Sequence, residues 1–363
     1  MTDTPSPAVT PRSSPLRSGP LRLGMLGLWH VHAAGMVRQI ALHPEEFQLV
    51  AGFDREESVC ETRLREWRDL VPEFQIARSP EDLFSRNLDG VLVEGRVDEN
   101  IAWASLAIER GLPVLLEKPA GTDVAGFAAL QQRAFACGVH LQLAYLFRAM
   151  PAIRAMLRHA RAGDLGTLYR FHARLPKEFS LYDEFERDLG HYPGGIFFEM
   201  AGHLIDFLIR VAGQPTHVQG FLRHHHPQAG GAFVDNAVAV IHCPGLLATI
   251  EATALEVLPG TRRIELFGTR GGIVIPHLGS GHLGNFPRQP YELFLAESSA
   301  GAGDGTQGRW RRFEPESVLL QIGDLREFSA VVRGEKAPEY SPAHDLAVQE
   351  TLLRCCAPPA GTP

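Results

Sequence analysis

Four polar side chains recur within an otherwise apolar segment that begins near Gly194. They are Glu199, His203, Asp206 and Arg210, separated in turn by four, three and four residues. On a helix these positions fall within roughly 60° of arc. An imidazole titrates near neutral pH and suits general-base catalysis, and a neighbouring carboxylate can orient it and stabilise its charged form. The same spacing equally predicts a solvent-facing stripe on a core helix.

A second candidate for chemistry is Lys118, in the segment Glu117-Lys118-Pro119 that follows the apolar run Val114–Leu116. Pro119 favours an extended backbone at Lys118, which directs the amine away from the strand tip. Ligands of open α/β sheets bind at the carboxyl ends of the strands. A lysine there can act as a base when burial lowers its pKa, or as a cation that stabilises an alkoxide. By itself, a lysine in this place is more often simply solvated.

The turn after the first apolar run has the topology of a dinucleotide site but an unusual sequence. Such a site needs a strand, a tight glycine turn, a helix N-terminus and, further on, a carboxylate for the ribose. Gly27 and Asp54 end the first two predicted strands, as required. Trp29 and His32, however, stand where the second and third glycines are expected. The loop therefore follows another path, holds the cofactor differently, or is an ordinary turn that binds none.

Neither the histidines nor the cysteines predict a metal site. His30 and His32 are two residues apart, which does not place them on one helix face, so capping and packing are favoured. The run 224–226 is His-His-His between two predicted strands, where neighbours point apart, and a solvated loop is favoured. The five cysteines are scattered and form no C-x-x-C motif. This pattern predicts neither a disulfide framework nor a zinc knuckle, and it favours a reducing compartment.

The elements that must position these residues change in kind near Arg148. Up to that residue, predicted strands alternate with helices of about a dozen residues, which indicates βαβ units and a parallel sheet. These strands are Leu21–Gly27, Phe47–Phe53, Gly90–Val93, Val114–Leu116 and Val139–Tyr145. After a helix at 196–212, strand-like runs follow one another from 217 to 275 without helices, which predicts a mainly antiparallel sheet. Two closing helices are expected at Val318–Val332 and Ala343–Cys355.

Length and charge limit the organisation and the partners. At roughly 150 residues per domain, 363 residues predict two domains. We expect domains at 21–147 and 148–356, with short tails at 1–20 and 357–363. The tail at 1–20 lacks the apolar core of a signal peptide, and no apolar run approaches the ~20 residues of a membrane helix. The net charge of −7 argues against nucleic acid or an anionic membrane as partner. A cytoplasmic protein is expected because the cysteines favour a reducing compartment and no signal peptide or membrane helix is predicted.

Taken together, these segments resemble the Gfo/Idh/MocA family of nicotinamide-dependent oxidoreductases, which includes glucose–fructose oxidoreductase and inositol dehydrogenase. The resemblance extends in order from about Leu21 to Ile275. The matching stretches are Arg22–Gly27, Val50–Asp54, Gly111–Pro119, Phe147–Pro151, Gly163–Gly166 and Gly194–Asp206. It implies an α/β fold, with an N-terminal Rossmann sheet and a C-terminal α+β domain whose open sheet commonly pairs with another subunit. It also implies hydride transfer to or from a hydroxyl or carbonyl of a sugar, polyol or related small molecule.

The resemblance further implies roles for single residues. Lys118 and His203 are expected to be catalytic, with Glu199 at the position of a family aspartate. Tyr145 and Arg148 are expected near the substrate together with His203, although a structural ion pair is as good an interpretation of Arg148. The expected cofactor contacts are Gly27, Leu28, Trp29, His30, Asp54, Arg55, Gly95, Glu117 and Lys118. NAD is the first choice because of Asp54, and Arg55 beside it leaves NADP open.

The chain also departs from the family pattern in ways that support other hypotheses. Trp29 and His32 replace glycines, Glu94 to Val97 replaces a common Thr-Pro-Asn, and Asn100 stands where a histidine is common. These changes favour, as a second hypothesis, a binding protein that has lost dinucleotide affinity. A third is a lyase or isomerase that uses tightly held NAD transiently. The substrate itself is not predicted, because its contacts come from variable loops.

Overall fold

The computed structural model describes residues 19–177, 189–226, 233–256, 262–278, 290–296, 309–315 and 320–357, without the side chain of Leu320. The chain divides into two units. The first runs to Leu146 and includes Leu319–Leu346; the second comprises Phe147–Val318 and everything from Ala347 onward. Most of the two predicted tails lies outside the described residues. Within them, no helix combines the length and the apolar character needed to cross a bilayer.

The first unit is built on a six-stranded parallel sheet, as predicted. Its strands are β1 (Leu21–Leu26), β2 (Phe47–Phe53), β3 (Gln75–Ile76), β4 (Gly90–Val93), β5 (Val114–Leu116) and β6 (Leu141–Leu143). The spatial order β3-β2-β1-β4-β5-β6 is that of a doubly wound dinucleotide-binding fold. Every residue of β4 and β5 is buried, because helices cover both faces of such a sheet. The two-residue β3 was not predicted, since so short a strand carries no periodic signal.

Five helices connect these strands. They are α1 (Val31–Leu42), α2 (Glu57–Trp67), α3 (Pro80–Phe84), α4 (Asn100–Glu109) and α5 (Val124–Ala136). The N-terminus of α1 follows directly on β1, so the helix start lies at the carboxyl end of the strand. Ligands of open α/β sheets bind at this edge.

The second unit carries an eight-stranded sheet, which is antiparallel except for one parallel pair. Its strands are β7 (Leu168–Arg174), β8 (His217–Arg223), β9 (Asn236–Cys243), β10 (Leu246–Thr253), β11 (Arg263–Gly268), β12 (Gly271–Ile275), β13 (Tyr291–Leu295) and β14 (Arg311–Phe313). Their order is β14-β13-β12-β11-β7-β10-β9-β8, with β7 and β10 parallel. This confirms the predicted α/β fold class with a mainly antiparallel second sheet. The exposed β14 was not predicted.

One face of this sheet packs against helices, and several described residues on the other face are accessible. The helices of the unit begin with α6 (Pro151–Arg161), α7 (Ile196–Met200) and α8 (Gly202–Ala212). A single helix was predicted at 196–212, and the structure interrupts it at Ala201. Along β10, Ala248, Ile250 and Ala252 are buried towards the helices, while Leu247 and the residues that alternate with it remain accessible.

The chain closes with α9 (Leu320–Val332) and α10 (Pro342–Cys356), near the predicted positions. The sequence assigned all of 148–356 to one domain, but α9 groups with the first unit. The Phe328 ring stacks on His140 at 5.9 Å and lies where a Cβ on Gly90 would clash. The Gln142 amide donates to the Asp324 carbonyl at 3.1 Å. These contacts join segments that are 182 or more residues apart in sequence, and periodicity does not reveal them.

Candidate active site

Gly27 allows the turn after β1 to pass close to the loop after β4. Its φ is +69°, a left-handed conformation that L side chains rarely adopt. A Cβ at Gly27 would lie 2.3 Å from the Cα of Gly95, so the space is closed to a side chain as well. The Gly95 N–H in turn donates to the side-chain carbonyl of Asn100 at 3.0 Å. Asn100 therefore fixes the loop after β4 through a hydrogen bond. It is the residue that stands where a histidine was expected from the family resemblance.

Side chains from β2 and α2 hold the turn that follows Gly27. The Asp54 carboxylate accepts the Leu28 N–H at 2.7 Å and the Glu56 N–H at 2.9 Å. From α2, the Arg63 guanidinium donates to the carbonyl oxygens of Leu28 at 2.8 Å and Trp29 at 3.0 Å. Asp54 thus already accepts two backbone donors, and a ribose hydroxyl would have to share its carboxylate with them.

Two arginines near the turn each contact a tryptophan ring. The Arg96 guanidinium stacks on the Trp29 indole at 4.5 Å from the ring centre, and it also pairs with Glu56. Arg55 lies over the Trp103 indole at 4.3 Å and pairs with Glu99. Trp29 stands where a glycine was expected, and its indole ring forms a cation–π contact with Arg96.

His30 caps α1 and is not part of the helix. Its backbone is extended, with φ −64° and ψ 144°, and its Nδ1 accepts the His32 N–H at 3.3 Å. The expected capping role is thereby confirmed. The expectation that the two histidines do not share a helix face assumed helical spacing, which does not apply to His30 because it precedes the first turn of α1. The rings meet edge to face, with their centres 4.6 Å apart.

The two histidines join three buried ionisable residues at the carboxyl ends of β4 and β5. We call this group the strand-end cluster: His30, His32, Glu94, Glu117 and Lys118. The His32 Nδ1 lies 2.9 Å from Glu117 Oε1, and the Lys118 Nζ lies 3.8 Å from the same oxygen. Lys118 is only 2% exposed, so the interpretation of a solvated surface lysine is wrong.

Glu94 is the member of the cluster that the sequence did not single out. It is completely buried, its Oε2 lies 3.7 Å from the His30 Nδ1, and neither carboxylate oxygen has a hydrogen-bond partner among the described residues. Burial, reinforced by the charge of Glu117, raises the pKa of this carboxyl group well above its usual value, against a smaller opposing effect of Lys118. One signal was available: Glu94 follows β4 as Glu117 follows β5, and adjacent parallel strands end at one edge.

The polar residues of the second unit form the helix stripe: Glu199, His203, Asp206 and Arg210. The first three are buried, so a solvent-facing stripe is excluded for them. The His203 ring lies against the Phe147 ring, with centres 4.6 Å apart. Asp206 accepts two hydrogen bonds from the Arg148 guanidinium, at 2.7 and 3.0 Å. Arg148 therefore forms the ion pair that one of its two interpretations expected, and its partner is Asp206.

The structure thus gathers the predicted residues into separate groups. Gly27, Leu28, Trp29, Asp54 and Gly95 belong to the turn, and Arg55 lies beside it. His30, Glu117 and Lys118 belong to the strand-end cluster. Glu199 and His203 belong to the helix stripe, and Tyr145 is buried just after β6. The described residues thus include a buried imidazole at His203, a buried ammonium group at Lys118 and a helix N-terminus after β1.

Comparison with known proteins finds similarity to oxidoreductases. Residues 153–274 match the family model described as the GFO/IDH/MocA C-terminal domain. The rhizopine catabolism protein MocA of Rhizobium meliloti is 32% identical over 130 residues, which are 36% of this chain and 40% of that protein. The uncharacterized oxidoreductase YdgJ of Escherichia coli K12 is 23% identical over 318 residues, 86% of this chain and 88% of that protein.

A solved structure covers nearly the whole chain. The WlbA dehydrogenase of Chromobacterium violaceum, in complex with NADH and UDP-GlcNAcA, superposes with a TM-score of 0.70 over 94% of each chain. Its sequence identity is 16%, so this likeness concerns the fold. The matched family domain and the two curated relatives agree with the motifs in both units: residues 153–274 match a GFO/IDH/MocA C-terminal domain, and most of the chain is similar to an oxidoreductase.

Proposed function

We propose that this protein is an NAD(P)-dependent oxidoreductase that transfers a hydride between nicotinamide and a hydroxyl or carbonyl of a sugar, polyol or related small molecule. The observation that carries the proposal is the burial of Lys118 beside Glu117 at the carboxyl end of β5, in a sheet with dinucleotide-binding strand order. Burying an ammonium group is costly, and a fold keeps one where its charge or its proton is used.

The residues around the turn after β1 are compatible with a dinucleotide. The first turn of α1 contains no acidic residue, which leaves its N-terminal dipole available to a pyrophosphate. Asp54 is the proposed partner of the adenosine ribose, and we therefore propose NAD as the cofactor. Arg55, more than half exposed, would meet the 2′-phosphate of NADP in the same place. Leu28, Trp29, His30, Gly95 and Glu117 are proposed to line the remainder.

The proposed chemistry divides between two side chains. When bound, nicotinamide accepts or donates the hydride. His203 takes the proton from the substrate hydroxyl, and Glu199, one helical turn earlier, stabilises the imidazolium that results. Lys118 stabilises the negative charge that develops on the substrate oxygen. Tyr145 and Arg148 are proposed to orient the substrate, and Asp206 keeps the Arg148 guanidinium in one position.

A direct binding experiment tests the proposal. The purified protein is titrated with NADH and with NADPH while tryptophan fluorescence is followed. Trp103 lies against Arg55, and Trp29 follows Leu28, whose N–H donates to Asp54. Saturable quenching by NADH, with weaker binding of NADPH, is the expected result. The absence of a saturable signal with either nucleotide would refute the dehydrogenase.

One observation favours a second candidate function, a binding protein of the same fold without dinucleotide affinity. The Asp54 carboxylate is already engaged by the N–H groups of Leu28 and Glu56, and Trp29 fills a glycine position. Exchanging Asp54 for Asn separates the two candidates. It should weaken nucleotide binding if Asp54 also holds the ribose. Nucleotide that binds tightly without net NADH production would instead indicate the lyase or isomerase chemistry.

We further propose that two copies of the chain pair through the open face of the second unit's sheet. Leu247 is 43% exposed on this face, and Tyr169 is 51% exposed on the adjacent β7. Light scattering should report a dimer or a higher oligomer, and Leu247→Lys should shift it towards monomer. A monomeric parent protein would contradict this proposal. A cytoplasmic location is likewise our proposal, and it rests on the scattered free cysteines.

A further inference from the structure

The strand-end cluster has a composition that hydride transfer does not require. It combines two imidazoles with two carboxyl groups in a part of the first unit from which water is almost excluded. We propose that His30, His32 and Glu117 bind a divalent transition-metal ion of the Zn²⁺ type, with Glu94 as a further carboxylate at the edge of the site. This inference goes beyond the proposed oxidoreductase function and does not depend on it.

The geometry of the three residues is close to that of a metal site. One ligand atom from each of His30, His32 and Glu117 lies within 4.8 Å of the other two. The ligand atoms of a tetrahedral Zn²⁺ ion, at bond lengths of about 2.0–2.1 Å, are roughly 3.3 Å apart. The observed separations are 2.9 Å from His32 Nδ1 to Glu117 Oε1 and 3.9 Å from His30 Nδ1 to the same oxygen. Side-chain movements of a few tenths of an ångström would bring both separations close to the tetrahedral value.

The donor types select the class of metal. Two imidazoles and one carboxylate suit Zn²⁺ and its first-row neighbours. Calcium and magnesium prefer sets of oxygen ligands, which the two histidines do not offer. A site of three protein ligands also leaves a position for water or a small molecule.

The burial of two carboxyl groups supports a metal site independently of the separations between the ligand atoms. Glu94 and Glu117 end adjacent strands inside the protein, and Lys118 is the nearby cation, 3.8 Å from Glu117. The Glu94 carboxylate, in contrast, is fully buried and has no hydrogen-bond partner among the described residues. Buried carboxylates are retained where they are paired or coordinate metals. A divalent ion between the histidines would bring positive charge to both carboxyl groups.

Binding of the ion would disrupt two existing contacts. The His30 Nδ1 accepts the His32 N–H at 3.3 Å, a long hydrogen bond that a metal bond to the same nitrogen would replace. The Lys118 ammonium lies near the same Glu117 oxygen and would be repelled by the ion. The proposal therefore makes a specific prediction: Lys118→Gln should bind the metal more tightly than the parent protein.

The experiment measures metal uptake by the full-length protein without dinucleotide. The run His224-His225-His226 is an obvious adventitious chelator, so the parent for all measurements carries glutamine at these three positions. The chelator-treated parent is titrated with Zn²⁺ by calorimetry and with Co²⁺ by absorption spectroscopy, which reports tetrahedral coordination. We expect one ion per chain and intense visible Co²⁺ bands.

Variants then locate the ion. His32→Gln and Glu117→Gln should each weaken Zn²⁺ binding by at least the roughly 10–100-fold that loss of an outer-shell partner costs in known sites. His140→Gln is the matched control, because His140 lies in the same unit and stacks on Phe328 without belonging to the cluster. It should bind Zn²⁺ like the parent. Circular dichroism of each metal-free variant verifies folding.

Several outcomes would overturn the proposal. One is the absence of stoichiometric uptake by the parent. Another is equal affinity of the parent, His32→Gln and Glu117→Gln, which would mean an adventitious ion only. If one of these two variants does not fold, the other and Lys118→Gln still decide, since a site elsewhere would not respond to Lys118. Because no nucleotide is present, failure here leaves the NADH titration intact, and failure of that titration leaves this result intact.

Discussion

The strand-end cluster and the helix stripe bury ionisable side chains to a similar degree but balance their charges differently. In the helix stripe, Asp206 and Arg148 form a close pair of opposite charges. In the strand-end cluster, two carboxyl groups, two imidazoles and one ammonium share a confined space, and Glu94 has no hydrogen-bond partner among the described residues. A close pair of opposite charges fixes two side chains relative to each other, whereas a buried cluster of several ionisable groups is suited to take up a proton, an ion or a ligand.

The largest expected effect comes from removing the proposed catalytic group of each region. Lys118→Ala and His203→Ala should each lower turnover by about 10²–10⁴-fold, the usual contribution of one acid–base or electrostatic group. The measurement is steady-state NADH formation with a panel of sugars and polyols, beginning with any substrate that the parent oxidises. Normal turnover in either folded variant would show that its residue, Lys118 or His203, takes no part in the reaction.

Breaking the buried pair should have the next largest effect. Asp206→Asn removes the buried negative charge that pairs with the Arg148 guanidinium, and we expect a loss of about 3–5 kcal/mol in the free energy of unfolding. Glu99→Gln is the matched control, because the pair of Glu99 with Arg55 is exposed and should contribute no more than about 1 kcal/mol. Urea denaturation of both variants gives the comparison. Equal midpoints would mean that burial does not distinguish the two pairs.

Gly27 tests whether the strand-end region depends on close backbone approach. Gly27→Ala places a methyl group 2.3 Å from the Gly95 Cα, in addition to the strain of φ +69°. Gly111 has a similar φ of +71° but open space around it, so Gly111→Ala should cost only the conformational strain of about 1–2 kcal/mol. We expect Gly27→Ala to unfold at a clearly lower urea concentration. Equal losses of unfolding free energy in Gly27→Ala and Gly111→Ala would show that the loop after β4 shifts to accommodate the methyl group.

The smallest effect concerns His140, whose ring lies 3.3 Å from the Gln142 side-chain oxygen and stacks on Phe328. Burial lowers its pKa below the usual 6.5, so the folded state favours the neutral ring. The unfolded state then binds more protons below about pH 6.5, and the stability of the protein should fall as the pH decreases through that value. Thermal melting between pH 5 and 8 should show a shallower decline for His140→Gln than for the parent.

The sequence was informative where a pattern is local. The helical spacing of Glu199, His203 and Asp206 predicted a common helix face, and the order of apolar runs predicted both sheets. The break at Ala201, the short β3 and the exposed β14 were missed, because two or three residues contain too little periodicity to detect. The grouping of α9 with the first unit was missed for another reason: its contacts with Gly90, His140 and Gln142 cross most of the chain.

By itself, the sequence determined the fold class, the family resemblance and the identity of Lys118 and His203 as the residues to examine. Only the tertiary structure decided that Lys118 is buried, that Arg148 is paired with Asp206, and that His30, His32, Glu94 and Glu117 meet. The physical reason is that periodicity reports which face a residue occupies within its own element. Distances between groups at the ends of different strands are set by the packing of the whole sheet, and the chemistry of the strand-end cluster depends on those distances.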